Sequence, residues 1–281
     1  MKRVLSVQDI SCVGKCSLTV ALPIISAAGI ECAILPTAVL STHTAFKGFT
    51  FRDLTEDLDG IADHWKQEKI VYDGIATGYL GSFRQIEQVE KIFSMFDHDK
   101  MLKFVDPAMG DKGKLYPGFT PEFAKRMGGL CGKADIIVPN LTEAAFMLGE
   151  EYKEDLSEEE VKNLLKRLCD LGCPVSVLTG VSFEEDRYGV AAYDSRKDEF
   201  VTYFSEHLPH SFHGTGDVWA SACFAALING QNLEQALGTA VEYTVESMRL
   251  TLAQKEYNWY GVDFETAVPA LIHGLDAILK K

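Results

Sequence analysis

Short apolar runs recur along the chain, each followed by a longer stretch whose apolar residues fall at helical spacing, and this alternation restricts the fold more than any other feature. The runs Val4–Val7, Ala33–Pro36, Ile70–Thr77, Leu102–Asp106, Ile136–Val138 and Val175–Thr179 lack polar alternation, so they read as strands buried on both faces. Helical patterns lie between them at Leu18–Ala28, Leu54–Gln67, Gln85–Phe96, Thr120–Leu130 and Glu158–Leu171, the last opened by the capping box of Ser157 and Glu160. A strand–helix–strand order of this kind predicts a parallel sheet with right-handed crossovers and helices on both faces. Gly189–Tyr193 and Phe200–Phe204 do alternate, across a charged turn, and predict an antiparallel hairpin at the sheet edge. Helices at Val218–Ile228, Leu233–Leu252 and Phe264–Leu279 close the chain. With no internal repeat, low-complexity tract or linker, residues 1–281 are expected to form one domain.

Charge narrows the partners. Forty-one acidic against 27 basic residues give a net charge of −14, which repels phosphate backbones and anionic lipid surfaces alike. Nucleic-acid and membrane binding are therefore not expected. The longest apolar run, Val218–Ile228, is too short to span a bilayer, and Asp9 follows Met1-Lys2-Arg3 too closely for a signal-peptide core. Seven cysteines, an odd number with only C-x3-C close pairs, suggest neither a disulfide framework nor a zinc site but reduced thiols in a cytoplasmic protein.

In an open α/β sheet, ligands gather beyond the carboxyl ends of the strands. Those ends carry Asp9-Ile10-Ser11, Gly78-Tyr79-Leu80-Gly81, Asp106-Pro107-Ala108-Met109-Gly110-Asp111, Pro139-Asn140-Leu141-Thr142-Glu143 and Thr179-Gly180. The strongest local signal is His213-Gly214-Thr215-Gly216-Asp217 immediately before an apolar helix. Two glycines let backbone N–H groups converge at a helix N-terminus, where the dipole favours an anion. A carboxylate beside such a site suits phosphoryl transfer, with Asp217 taking a hydroxyl proton while the amides hold the moving group. A Gly-rich loop with an acidic N-cap is the plainer reading of the same residues.

Asp106, Asp111, Asn140 and Glu143 offer oxygen donors of the kind Mg²⁺ prefers, bound through one or two carboxylates, water and phosphate. Asn140 and Glu143 equally fit a helix entry, and Asp106-Pro107 a turn. Asp9, Ser11 and Gly14, with Ser41-Thr42-His43-Thr44, place polar groups where a small ligand could be read; His43 fits a satisfied structural histidine as well, and Thr44 a turn residue. Gly14-Lys15 is not a P-loop, because Cys16 replaces the hydroxyl residue and Asp9 stands where the first glycine belongs. Gly214-Thr215-Gly216 is not a dinucleotide fingerprint, since Trp219 occupies the place of the last glycine.

Taken in order, these segments resemble the ribokinase-like superfamily and, within it, the pyridoxal kinases. The resemblance runs from Ser6-Val7-Gln8 and Gly29 through Leu40-Ser41-Thr42-His43-Thr44, Thr77–Gly81, Asp106–Asp111 with Leu115-Tyr116, and Pro139–Glu143, to Gly214–Asp217. It implies a three-layer α/β/α fold with a central, mostly parallel sheet and an antiparallel edge hairpin. It implies an ATP- and Mg²⁺-dependent kinase, with K⁺ a further candidate, acting on the 5′-hydroxymethyl group of pyridoxal, pyridoxamine or pyridoxine, and assembled as a homodimer. By the resemblance Asp217 is the general base, and Gly214, Thr215 and Gly216 form the anion hole. Asp106, Asn140 and Glu143 organise Mg²⁺ and the phosphates, with Asp106 and Glu143 nearest the metal. Thr179 and Gly180 lie along the nucleotide, and Asp9, Ser11, Thr44, Gly78, Tyr79 and Tyr116 surround the vitamer. At one position the chain departs from that pattern: many pyridoxal kinases carry Ser after the Gln of the first strand. Here Asp9-Ile10-Ser11 is similar to the Asp-x-Ser opening of hydroxymethylpyrimidine kinases. A hydroxymethylpyrimidine kinase and a non-catalytic vitamer-binding protein stay open as alternatives.

Overall fold

A computed structural model describes residues 1–279. In chain order these comprise β1 (Arg3–Val13), α1 (Leu18–Ala27), β2 (Glu31–Thr42), β3 (Phe51–Asp53), α2 (Thr55–Gln67), β4 (Gly74–Thr77), α3 (Phe83–Phe96), β5 (Leu102–Val105), β6 (Gly110–Asp111), β7 (Lys114–Leu115), α4 (Pro121–Cys131), β8 (Ile136–Ile137), α5 (Leu141–Leu148), α6 (Glu158–Cys169), β9 (Val175–Glu184), β10 (Arg187–Asp194), β11 (Glu199–Glu206), α7 (Thr215–Ile228), α8 (Leu233–Leu252) and α9 (Val268–Leu279). Strands pair in the order β11-β10-β9-β8-β5-β4-β1-β2-β3, with β6 and β7 forming a separate two-stranded ribbon. All pairings from β2 to β9 are parallel, whereas β3 and the β9-β10-β11 edge pair antiparallel. This is the expected fold, antiparallel edge hairpin included.

Strand alternation explains the two cores. On β1, Val4 packs with α1, α7, α8 and α9, while Leu5 and Val7 point the other way into the layer of α2 to α6. Both faces are covered, so central strands such as β4 are buried along their whole length and read as unbroken apolar runs. Helix α7 is buried on nearly every side, which is why Val218–Ile228 shows no polar face. Among the described residues, no helix is long and apolar enough to cross a membrane.

Several boundaries differ from the expected ones. Ile70–Tyr72 is not strand: Lys69 turns with φ 57° after α2, Val71 is 61% exposed, and pairing begins only at Gly74. β9 does not stop at Thr179. It passes through a bulge at Gly180, where φ is 73° and the register with β10 slips, and continues to Glu184. β1 and β2 also run on past the sheet, to Val13 and Thr42, after a register slip between Gln8 and Ile10. The helix after Asn140 was expected only as an entry, and the final helix begins at Val268 rather than Phe264.

Phe224 on α7 is fully buried and meets Phe104 of β5 at a ring separation of 5.5 Å. Phe224→Ala is expected to lower the unfolding free energy by about 3–5 kcal/mol in urea titration. Val71→Ala should stay within about 0.5 kcal/mol of the parent. Equal effects would contradict the two-core packing.

Candidate active site

The carboxyl ends of β1, β4 and β5 meet the N-terminus of α7. Gly214 caps that helix with φ 80° and ψ 0°, and no side chain caps it. Helices α3, α4, α5, α6 and α8, by contrast, each carry a side-chain cap. The first backbone N–H groups of α7 therefore lack the partner that a cap would give and face outward with the positive end of the dipole. A Cβ on Gly214 would collide with the Lys15 carbonyl oxygen, whereas one on Gly216 would meet open space. The cradle loop is thus seated on the β1–α1 loop at Gly214 and open to a ligand at Gly216. Asp217 sits two residues into the helix and is not its cap, which removes the plainer reading of this motif.

Asp217 and Asp106 line one small cavity with Ser6, Gln8, Thr77 and Ser221. Burial raises the Asp217 carboxyl to about 7; the Ser17 backbone N–H opposes that rise and the charge of Asp9 adds to it. Asp106 lies well above the usual carboxylate range, through burial and then repulsion from Glu143 and Asp217. Glu143 rises to about 8 through burial, against backbone N–H groups of Asn140, Met109 and Gly110. The Tyr116 hydroxyl is held up as well, by burial and by the acids around it. Among the described residues no lysine or arginine pairs with Asp106, Glu143 or Asp217, so a cation-bearing ligand would favour the ionised forms that burial disfavours.

Other residues are committed to the fold. Both oxygens of Glu143 accept backbone N–H bonds, from Met109 at 3.0 Å and Asn140 at 2.9 Å. Asn140 accepts from the Glu143 N–H and donates to the Gly110 carbonyl, each at 2.9 Å. This is the helix-entry reading of that pair: a capping box that also ties down the loop after β5. Asp111 is exposed on β6 and caps the Lys112 N–H. Thr179 donates its N–H to the Pro139 carbonyl at 3.0 Å, and a Cβ on Gly180 would lie 2.8 Å from the Tyr188 hydroxyl.

At the end of β1, Asp9 is 5% exposed and accepts from the Ser17 hydroxyl at 2.6 Å and the Ser11 hydroxyl at 3.1 Å. Gly78 lies close against Gln8, and a Cβ there would overlap the Gln8 side-chain oxygen. Tyr79 is half-buried against Phe119, at 5.5 Å. Thr44 is not brought into this cluster: it lies exposed in the turn after β2, while the adjacent His43 is buried. Gln8, Thr77, Ser17 and Ser221 had no role assigned from sequence. The signal for Gln8 and Thr77 was present, as polar residues inside otherwise apolar strands. Among the described residues, Thr77 Oγ1 is buried without a partner.

Comparison with known proteins agrees with this arrangement. The profile of the phosphomethylpyrimidine kinase family matches residues 62–260. The chain belongs to this family. A Bacteroides thetaiotaomicron protein, provisionally named a phosphomethylpyrimidine kinase, is 38% identical and superposes with a TM-score of 0.93 over 96% of this chain and 94% of its own. A second crystal form of it is described as containing pyridoxal. The pyridoxal kinase of Lactobacillus plantarum is 30% identical, with a TM-score of 0.90 over 99% of both chains. A provisionally named pyridoxal kinase of Saccharomyces cerevisiae is 28% identical over 60% of this chain, a match spanning 54% of that relative's length. The described residues therefore carry the ribokinase-like fold.

The raised Asp217 carboxyl has a consequence for the protein without ligands. Its folded value exceeds its unfolded one, so the native state binds the extra proton between about pH 4 and 7 and loses stability as pH rises through that window. Asp217→Asn is expected to be more stable than the parent, by a margin that widens from pH 5 to pH 7 and levels off above. Urea midpoints at pH 5, 6, 7 and 8 test this; a constant margin would contradict it.

Proposed function

We propose that this chain transfers the γ-phosphoryl group of ATP to the 5′-hydroxymethyl group of a vitamin B6 vitamer, in pyridoxal 5′-phosphate salvage. The observation that carries the reading is Asp217, raised to about 7 in the first turn of a helix that has no side-chain cap and where a Cβ on Gly216 would meet open space. In this reading the Asp217 carboxylate accepts the hydroxyl proton as the hydroxyl oxygen forms its bond to phosphorus, and ADP leaves. The amides of Gly214, Thr215 and Gly216 receive the charge of the transferring group. A base with a value near the working pH is better matched to the task than an ordinary Asp, and positioning supplies the remainder of the rate.

The fit to Mg²⁺ rests on the donor set. Among the described residues no group of three His, Cys, Asp or Glu is arranged to hold an ion alone. The two Glu143 oxygens are taken by backbone N–H groups. Asp106 keeps its carboxylate in the cavity and would hold Mg²⁺ together with nucleotide phosphates and water, with Glu143 acting from behind through its charge. The cation would neutralise developing charge on the phosphates. Thr179 and Gly180 would border the nucleotide, while Asp9, Ser11, Gly78, Tyr79 and Tyr116 would border the acceptor.

A second reading, phosphorylation of a hydroxymethylpyrimidine, is favoured by the family profile and by Asp9. The pyridoxal in the Bacteroides protein's crystal and the L. plantarum enzyme's name favour the vitamer. ADP release measured with Mg-ATP and pyridoxal, pyridoxamine, pyridoxine or hydroxymethylpyrimidine in parallel decides between them. A B6 vitamer is expected to exceed the pyrimidine clearly, and turnover with the pyrimidine alone would overturn the proposal. Asp217→Ala should retain less than about a tenth of the parent kcat. In the parent, kcat/KM should climb as pH rises towards about 7, where Asp217 becomes a carboxylate.

A further inference from the structure

His43 and His213 lie far apart in sequence and are not used by the chemistry above. Their rings stack at 4.0 Å with an interplanar angle of 29°. His213 immediately precedes the cradle Gly214–Asp217, and His43 immediately follows the long β2 strand.

His43 joins four segments. Its Nδ1 accepts the Ala45 N–H at 3.2 Å, so Nε2 carries the proton and donates to the Tyr260 carbonyl, also at 3.2 Å. Its ring edge fills the space over Gly14, where φ is 141° and a Cβ would lie 2.6 Å from His43 Cδ2. Phe46 packs against the ring at 4.9 Å, and Trp259 and Tyr260 pack against Phe46 at 4.6 and 5.5 Å. The fourth segment is the cradle loop, reached through the stack alone. His213 is exposed, and among the described residues neither of its ring nitrogens finds a hydrogen-bond partner. Packing of the rings against their neighbours holds both below the usual histidine value, and His43 lowers His213 further, so no like charges oppose one another across the stack.

We propose that His213 and His43 are positioning residues: their stack fixes the phosphate-cradle loop against the β1–α1 loop and the segment after β2. Gly214 supplies the second point of this seat, through its close approach to Lys15. Two points fix the direction of the Gly214–Gly216 amides, whereas one would leave a hinge. Loss of alignment by about 1 Å at a reacting group can cost up to about a hundredfold in rate, and an exposed stack at the loop's end should matter less than that.

The inference rests on the kinase reading, so its test has two arms. In turnover, His213→Ala is expected to lower kcat about tenfold, with KM for nucleotide and vitamer changed by less than about twofold. His213→Phe, which keeps a flat ring over His43, should recover most of that loss. In hydrogen exchange of the ligand-free protein, the amides of residues 212–217 and 43–46 should exchange about tenfold faster in His213→Ala and near the parent rate in His213→Phe. Unchanged kcat and exchange in His213→Ala would overturn the proposal. A His213→Phe variant as impaired as His213→Ala would overturn it too, by assigning the role to the imidazole nitrogens. If the parent itself phosphorylates none of the acceptors, the kinase reading fails. The exchange arm then decides the positioning role by itself, faster exchange supporting it and parent-like exchange rejecting it.

Discussion

The contact on which the site depends is between two stretches of backbone: the Gly214 Cα against the Lys15 carbonyl. It requires a residue without a Cβ and with φ of 80°, both of which glycine supplies. Because the cap is a bare glycine, α7 starts with its amides unspent. Because the glycine sits on the β1–α1 loop, the next turn carries Asp217 over Ser17 and towards Asp9. The same loop is braced on its far side by Lys15, paired with Asp263 and Glu265. One ion-paired lysine thus stabilises the loop through its side chain and receives the cradle through its carbonyl.

That seat brings negative charge together. Asp9, Asp106, Glu143 and Asp217 are gathered in and around one cavity, and burial lifts each of them above its ordinary range. Such an arrangement works against stability in the ligand-free chain, and it is maintained by neutral donors: serine hydroxyls on Asp9 and backbone N–H groups on Glu143. The donors hold the carboxyl groups in place while burial disfavours their charged forms. A phosphate-bearing ligand, itself anionic, can enter such a cavity only with cations or at the positive end of a helix, and the uncapped α7 supplies the latter.

The sheet and both helical layers were legible because strands buried on two faces must be apolar throughout, and helices over them must be apolar on one side. The bulge at Gly180 was not legible, since a glycine after a buried run reads equally as a strand end. It becomes a bulge only because β10 is present to pair with both sides of it. Asp217, Asp106 and the glycine cradle were legible because strand ends and helix starts fix where such residues go. For Glu143 and Asn140 the sequence held two readings, ligand and helix entry. The structure shows that their hydrogen-bonding atoms serve the entry. Thr44 and His43 were harder. A one-residue difference at a strand end decides which side chain turns inward, and this depends on His213 and Tyr260, far away in sequence.

Under the proposed function, the ring that the site would accept turns on Asp9, the residue at which the chain departs from many pyridoxal kinases. A carboxylate offers about four lone-pair positions, and two are occupied by Ser11 and Ser17 from within the fold. A ring substituent can therefore find a remaining position on Asp9, but it cannot displace the serines without leaving their hydroxyls buried and unpaired. Discrimination at this residue would then act mainly through charge. Burial disfavours the Asp9 anion, so a ligand presenting a cationic N–H would relieve a cost that a neutral ring leaves in place. By this argument the preference should follow the protonation state of the ligand more closely than the number of atoms in contact, and pyridoxamine and an aminopyrimidine stand on the same side of that division.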